Sequence, residues 1–213
     1  MDNEVELRAK LIKQTKSTNS TEASDAVIEL LSYGWMYDGS LEGADFSGAD
    51  LFEVLMPGAN LPGVIFDKAD LQGANLHKSN LSRSSFVETN LHYVFMGESN
   101  LQGANFRNAN LQDSLVSGDL TDASFDGANL QKAIFGKHLQ STSFRGANLQ
   151  GAQIIASVIE AADFTNANLR GVRFENVTFD TKTILPDGTY WTPDTDMKRF
   201  TDPPTKSYTP KNS

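Results

Sequence analysis

Three histidines, His77, His92 and His138, are the side chains best suited to bind a metal or move a proton near neutral pH, and 27 Asp and Glu residues are the remaining acid–base and ligand candidates. A metal site needs three or four such groups converging on one point. Acyl or phosphoryl transfer needs a nucleophile, a base and an anion-stabilising group in contact. The chain contains no G-x-S-x-G nucleophile elbow, no phosphate-binding G-x-x-x-x-G-K-S/T loop and no H-E-x-x-H metalloprotease signature. It has no cysteine, which excludes disulfide frameworks and thiolate zinc sites. Whether the histidines can act together therefore depends on where the backbone puts them.

The element that positions them is a five-residue repeat. From about Gly39 to Ile184 the order small, Asn or Asp, Leu or Phe, then two polar or Gly residues recurs, as in Ala44-Asp45-Phe46, Ala104-Asn105-Phe106 and Ala147-Asn148-Leu149. A period of five fits neither a helix nor a strand, so the chain must turn a corner at each repeat. Arranged four to a row, the central residues form columns. One reads Phe46, Phe66, Phe86, Phe106, Phe125, Phe144, Phe164 and then Ile184; another reads Leu51, Leu71, Leu91, Leu111, Leu130, Leu149, Leu169. A third runs Leu41 to Leu139 and on to Ile159 and Phe179, and the fourth is Met56, Leu76, Met96, Val116, Phe135, Ile154, Phe174. Every central position is apolar, against 39% of the whole chain. Two rows are one residue short, at Val116 to Leu120 and at Phe135 to Leu139, which places both deletions at the same corner of consecutive coils.

This pattern resembles the pentapeptide-repeat family, A(D/N)LXX, over roughly two thirds of the chain. The resemblance implies an all-β fold, a right-handed quadrilateral β-solenoid, here of about seven coils spanning roughly 34 Å at the ~4.8 Å layer spacing. It also implies that the central residue and the small residue two before it point inward. Ala44, Ala69, Ala74, Ser84, Ala109, Ala128 and Ala167 fit that rule. Val54, Val94, Val172 and Lys137 depart from it, and the Lys137 ammonium is expected in solvent at the second deletion.

A stack of coils needs covers at both ends. Residues 1–35 supply an N-terminal α-helical cap: a helix carrying Ala23, Ala26, Val27, Leu30 and Leu31 on one face, capped by Ser20 or Thr21 and stopped at Gly34, with a weaker helix over Asn3–Gln14 and a polar linker over Thr15–Thr21. Trp35 and Tyr37 are expected to roof the first coil. The solenoid occupies 36–184. Residues 185–201 close it with a Pro186-Asp187-Gly188 turn and an aromatic lid of Tyr190 and Trp191, similar to the LPDGTxWTPD-like closing segment of bacterial relatives, and 202–213 form a flexible tail.

In this register His77 and His138 share a corner but lie about 14 Å apart, with His92 on another side, so they cannot share a metal. The chain is read as no enzyme, with no catalytic residue, cofactor or metal. The first 20 residues lack an uninterrupted apolar segment and no stretch is long enough to span a membrane, so the expectation is a soluble, cytoplasmic protein.

Two surfaces remain. Some relatives are acidic DNA mimics that bind type II topoisomerases such as gyrase. From Leu41 to Ile184 there are 16 Asp and Glu and 10 Lys and Arg, a net of −6. A DNA-like rod of this length would carry roughly 20 negative charges. Asp67, Val87, Arg107, Asp126 and Arg145 read as an alternating, self-neutralising column. An acidic patch is confined to Glu42, Asp45, Asp50 and Glu53, with no basic residue nearby in sequence. The net charge of −9 also argues against direct nucleic-acid binding.

The second surface is apolar. The outward residue before each centre is mainly Asn, Asp, Ser or Thr on three sides, but on the fourth it reads Leu55, Asn75, Phe95, Leu115, Ile134, with Tyr93 and Ile155 nearby. The favoured expectation is a non-enzymatic protein-interaction scaffold using this side for an unknown protein partner or a homodimer. The alternative is a gyrase-directed DNA mimic.

Overall fold

The computed structural model describes residues 2–202. Two helices, α1 (Asp2–Gln14) and α2 (Ser20–Ser32), lead into the coils. Along the coils lie β1 (Phe95–Asn100), β2 (Leu115–Asp119), β3 (Ile134–His138), β4 (Gln153–Ile159), β5 (Arg173–Glu175) and β6 (Thr178–Phe179), followed by the short helix α3 (Lys198–Thr201). All strand pairs are parallel, in the order β1-β2-β3-β4-β5 with β6 on β4. The continuous strand ladder is therefore shorter than the coil count from periodicity. It takes four steps, and elsewhere coils meet through single bridges such as Asp45↔Ile65, Asp50↔Asp70, Leu55↔Asn75 and Asn60↔Asn80, one on each of four walls.

Pairing at one residue per wall follows from the repeat. The chain turns again just after each centre, so strand-like pairing is confined to the central residue and the one before it, with one further bond per corner from the N–H two residues on, as from Lys68 to Val87 O. Phe86 donates its N–H to Asn105 O at 2.7 Å, and Ser85 donates to Val64 O at 2.9 Å. The preference for Asn and Asp before each centre has the same origin. Their side chains accept the N–H two residues on, as Asp45 does from Ser47, and the asparagines also bond between layers: Asn80 to Asn60 at 3.0 Å, Asn129 to Asn110 at 2.9 Å and Asn168 to Asn148 at 2.9 Å.

The phenylalanine column is stacked along its length, closing from 5.7 Å between Phe46 and Phe66 to 4.7 Å on both sides of Phe106. Phe135 from another column meets Phe125 edge-on at 5.5 Å. Val54, Val94 and Val172 are buried despite their size, and Lys137 is exposed. Ala44 is only half-buried, because it lies in a groove beneath Val5, Ala9 and Ile12 of α1. At the two shortened corners the chain runs straight through as β2 and β3, which pair residue for residue from Leu115↔Ile134 to Asp119↔His138.

The helical lead-in differs from expectation in three places. Asn19, not Ser20 or Thr21, caps α2, its side chain accepting the N–H groups of Thr21 and Glu22. The segment between the helices is not merely a polar linker: Thr15 is buried and its carbonyl accepts the Asp50 N–H at 3.0 Å, tying the helix pair to the first coil. Trp35 is buried under Arg8, but Tyr37 turns outward and Met36 takes the inner place, its carbonyl accepting the Asn60 N–H.

At the other end Leu185 and Thr189 close the Pro-Asp-Gly turn and Ile184 pairs antiparallel with Tyr190. Only Trp191 serves as a lid, its ring 5.7 Å from Phe179, while Tyr190 faces outward. The rest of the cover is α3, unforeseen because four residues carry no periodic signal. Its Phe200 packs on the core, and the Thr201 carbonyl accepts the Gly171 N–H where a further coil would otherwise do so. The expected flexible tail lies, beyond Asp202, outside the described residues.

Burial pushes the Asp180 carboxyl up, but bonds donated by Ala161 N–H, the Thr183 hydroxyl and Lys182 N–H outweigh it and hold the group below its ordinary range. A folded value below the unfolded one means that these bonds stabilise the last coil above the unfolded carboxylate range and fail as pH falls through the depressed value. In a Trp35→Phe background the fluorescence of Trp191 is expected to show an acid step as pH falls below the ordinary carboxylate range. Asp180→Ala should abolish that step, and its survival would refute the assignment.

Candidate interaction surface

The three histidines do not converge. His92 lies 3.7 Å from Asp113, and His77 is stacked beneath the Phe95 ring with centroids 4.9 Å apart. His138 pairs with Asp119 and Val158, so the shortened coil moves it off the corner it was expected to share with His77 and onto the adjoining wall. Among the described residues no group of three His, Asp or Glu is placed to hold a metal ion, and no helix is long and apolar enough to cross a membrane.

The acidic patch divides. Lys16, brought in from between the helices, sits 3.2 Å from Asp45, which corrects the expectation that no basic residue is near. Hydrogen bonds from Ser47, and then the Lys16 ammonium, hold the Asp45 carboxyl below its ordinary range. Asp50 faces away from that pair, into a groove beside α2, with Glu53 at the next corner. Among the described residues Glu42, Asp50 and Glu53 have no ion pair.

The column read as self-neutralising is built otherwise. Asp67 accepts the Ser85 hydroxyl at 2.5 Å and the Val87 N–H at 3.0 Å; Asp126 accepts the Ser143 hydroxyl and the Arg145 N–H. The Arg145 guanidinium pairs with Asp163 at 2.8 Å instead. A carboxylate one layer below a serine and an amide finds shorter partners there than in a long side chain. These acids are thus spent on joining layers.

On the fourth wall, strand pairing places Leu55, Asn75, Phe95, Leu115 and Ile134 in one line across successive layers, in the steps Leu55↔Asn75, Asn75↔Phe95, Phe95↔Leu115 and Leu115↔Ile134. Leu55 is 66% exposed, Phe95 38% and Tyr93 58%; Leu115, Ile134 and Ile155 are half-buried. Ile155 stands one column over, beside Gly136 and Ser117. Tyr93 has φ +58°. The third turn residue adopts this left-handed conformation throughout the solenoid, usually as Gly or a small or charged residue, and a bulky aromatic there is held against its local preference.

Sequence reasoning missed the lower end of this surface. Phe52, 51% exposed, and Ile28 of α2, 61% exposed, flank an open groove of about 320 Å³ that also takes in Val27, Leu31, Val54 and Leu55. Phe52 occupies a turn position outside the apolar columns, and the approach of α2 to that turn has no signature in the repeat.

Residues 59–135 match the family model "Pentapeptide repeat region", and residues 139–181 match "Pentapeptide repeats (9 copies)". No curated protein matches the chain. Among solved structures it is similar to HetL, a pentapeptide repeat protein involved in heterocyst differentiation regulation from the cyanobacterium Nostoc sp. strain PCC 7120, at 19% identity over 78% of this chain and 98% of that one, with a TM-score of 0.47. Rfr23 from the cyanobacterium Cyanothece 51142 is 17% identical over 73% of this chain and 99% of that one, with a TM-score of 0.33. QnrB1, a plasmid-mediated fluoroquinolone resistance protein, is 21% identical over 70% and 75%, with a TM-score of 0.38. The two family matches fall on the stacked coils themselves, and the chain belongs to the pentapeptide-repeat family.

Proposed function

We propose that this chain is a non-enzymatic interaction scaffold whose fourth wall contacts a protein partner or a second copy of itself. The observation that carries the reading is the line of outward apolar side chains on one wall, Leu55, Phe95, Leu115 and Ile134, joined by Tyr93 and Ile155, while the other walls carry mainly Asn, Asp, Ser and Thr at the same position, with Ile65 and Val158 as isolated apolar residues. An exposed apolar area of a few hundred Å² marks a contact site more often than chance exposure does. The left-handed Tyr93 adds to it, since this corner tolerates an aromatic ring that its own backbone disfavours. The gyrase-directed alternative has less support, because Asp67, Asp126 and Asp163 bond within the solenoid and Asp45 is paired with Lys16.

The test combines sedimentation with affinity capture from the native cell, for the unaltered protein and for Phe95→Asp plus Leu115→Asp. We expect the double variant to lose whichever association the unaltered protein shows. Tyr93→Gly should weaken the same association while leaving thermal stability equal or higher, because glycine relieves the left-handed turn, worth about 1 kcal/mol. Association that survives both changes would remove this wall as the contact surface.

A further inference from the structure

The groove between α2 and the first coil combines two features that lie apart in the sequence. Its floor and sides are Val27, Ile28 and Leu31 from the helix and Leu51, Phe52, Val54 and Leu55 from the coil. Its rim is negative. Asp50 lines it directly, and Glu53 is exposed between the lining residues Phe52 and Val54. Neither Asp50 nor Glu53 has an ion pair among the described residues, and Lys16, next to the Thr15 whose carbonyl accepts the Asp50 N–H, is engaged with Asp45. At about 320 Å³ the groove matches the smaller end of known ligand clefts, room for one or two large side chains.

From these observations we infer that the groove receives a basic amphipathic segment of a partner protein, its large apolar side chains seated against Ile28, Phe52 and Leu55 and its lysines or arginines facing Asp50 and Glu53. The inference rests on the reading of the fourth wall as a contact surface, because Leu55 belongs to both, and it names the chemistry of the partner at the wall's lower end. A second copy of this chain fits less well, since its net charge of −9 would meet a rim of the same sign. An uncharged apolar segment would fill the floor but leave the rim carboxylates without partners.

The probe is a fluorescein-labelled Leu-Lys peptide of about 14 residues with leucines at helical spacing, compared with a Leu-Glu peptide of the same pattern. Anisotropy is read on the full chain, with circular dichroism as the check that each variant is folded. We expect the Leu-Lys peptide to bind and the Leu-Glu peptide not to. Ile28→Asp and Phe52→Ala should each weaken binding by about tenfold, as for the central anchors of an interface. Asp50→Asn with Glu53→Gln should weaken it by about threefold or more and reduce its salt dependence. No binding, equal binding of both peptides, or Leu-Lys binding indifferent to Ile28 and Phe52 would each overturn the groove assignment. If Phe95→Asp plus Leu115→Asp abolishes binding and the groove variants do not, the wall reading stands and the groove reading falls. If Ile28→Asp instead abolishes self-association in sedimentation, a second copy is the occupant and the basic-segment inference is wrong.

Discussion

Phe106→Ala is expected to remove about 3–5 kcal/mol of stability, close to the upper end for a single truncation in a core. The ring is fully buried and lies 4.7 Å from Phe86 below and 4.7 Å from Phe125 above, with interplanar angles of 3° and 2°. In most cores part of such a void is recovered by collapse of the surroundings. Here the layers are held apart by main-chain bonds on all four walls, including Phe106 N–H to Ser124 O at 2.7 Å and Asn105 N–H to Ser84 O at 2.9 Å. Neighbouring rings cannot approach without breaking those bonds, so the cavity persists. Phe46→Ala should cost less, because it has one stacked neighbour, 5.7 Å away at 22°, where Phe106 has two at 4.7 Å. Urea denaturation of both variants checks the order. A Phe106 loss below about 1.5 kcal/mol would mean that the layers do relax.

How much of this was legible beforehand follows from the same geometry. A solenoid writes its architecture in sequence because one position recurs in each layer, so the Phe and Leu columns are readable from spacing, and the family resemblance adds which positions face in and hence the outward line of Leu55, Phe95, Leu115 and Ile134. The location of both deletions was readable for the same reason. Features made once were not. The Asn19 cap, the contact of Thr15 with Asp50, the Lys16–Asp45 pair and the short helix α3 each depend on a single tertiary approach that no repetition announces. The groove falls in that class. Its residues are ordinary in sequence, a helix-surface isoleucine and a turn phenylalanine, and become a site only because α2 folds back against the first coil. Charge patterning misled for a related reason. Asp67 and Asp126 looked like members of an ion-pair ladder by register, but a serine hydroxyl and an amide stood closer than any guanidinium.

Gly118→Ala should be more damaging than any other glycine substitution in the solenoid, at about 3 kcal/mol or more from backbone strain and overpacking together. Gly118 sits in β2 at the first shortened corner, where four residues do the work of five. The straightened chain brings it over Ser99 of the layer below: a Cβ at this position would lie 2.0 Å from the Ser99 carbonyl oxygen and 2.7 Å from its nitrogen, and φ is +131°. All three of the nearest atoms are Ser99 backbone, so no flexible side chain can move aside. Gly136, at the second shortened corner, would place a Cβ 3.1 Å from the Ile155 carbonyl oxygen with no unusual φ, so Gly136→Ala needs only a small shift. Gly146 at an ordinary corner has φ +64° and open space, so Gly146→Ala should cost about 1 kcal/mol, the left-handed penalty alone. The expected order of loss is therefore Gly118 well above both Gly136 and Gly146, read from urea midpoints or, if Gly118→Ala does not accumulate as folded protein, from the soluble yield of all three expressed in parallel. Equal losses at Gly118 and Gly146 would mean that the coil can bulge at its shortened corner, and with it that the residue-for-residue pairing of β2 with β3 is not what holds the fourth wall straight.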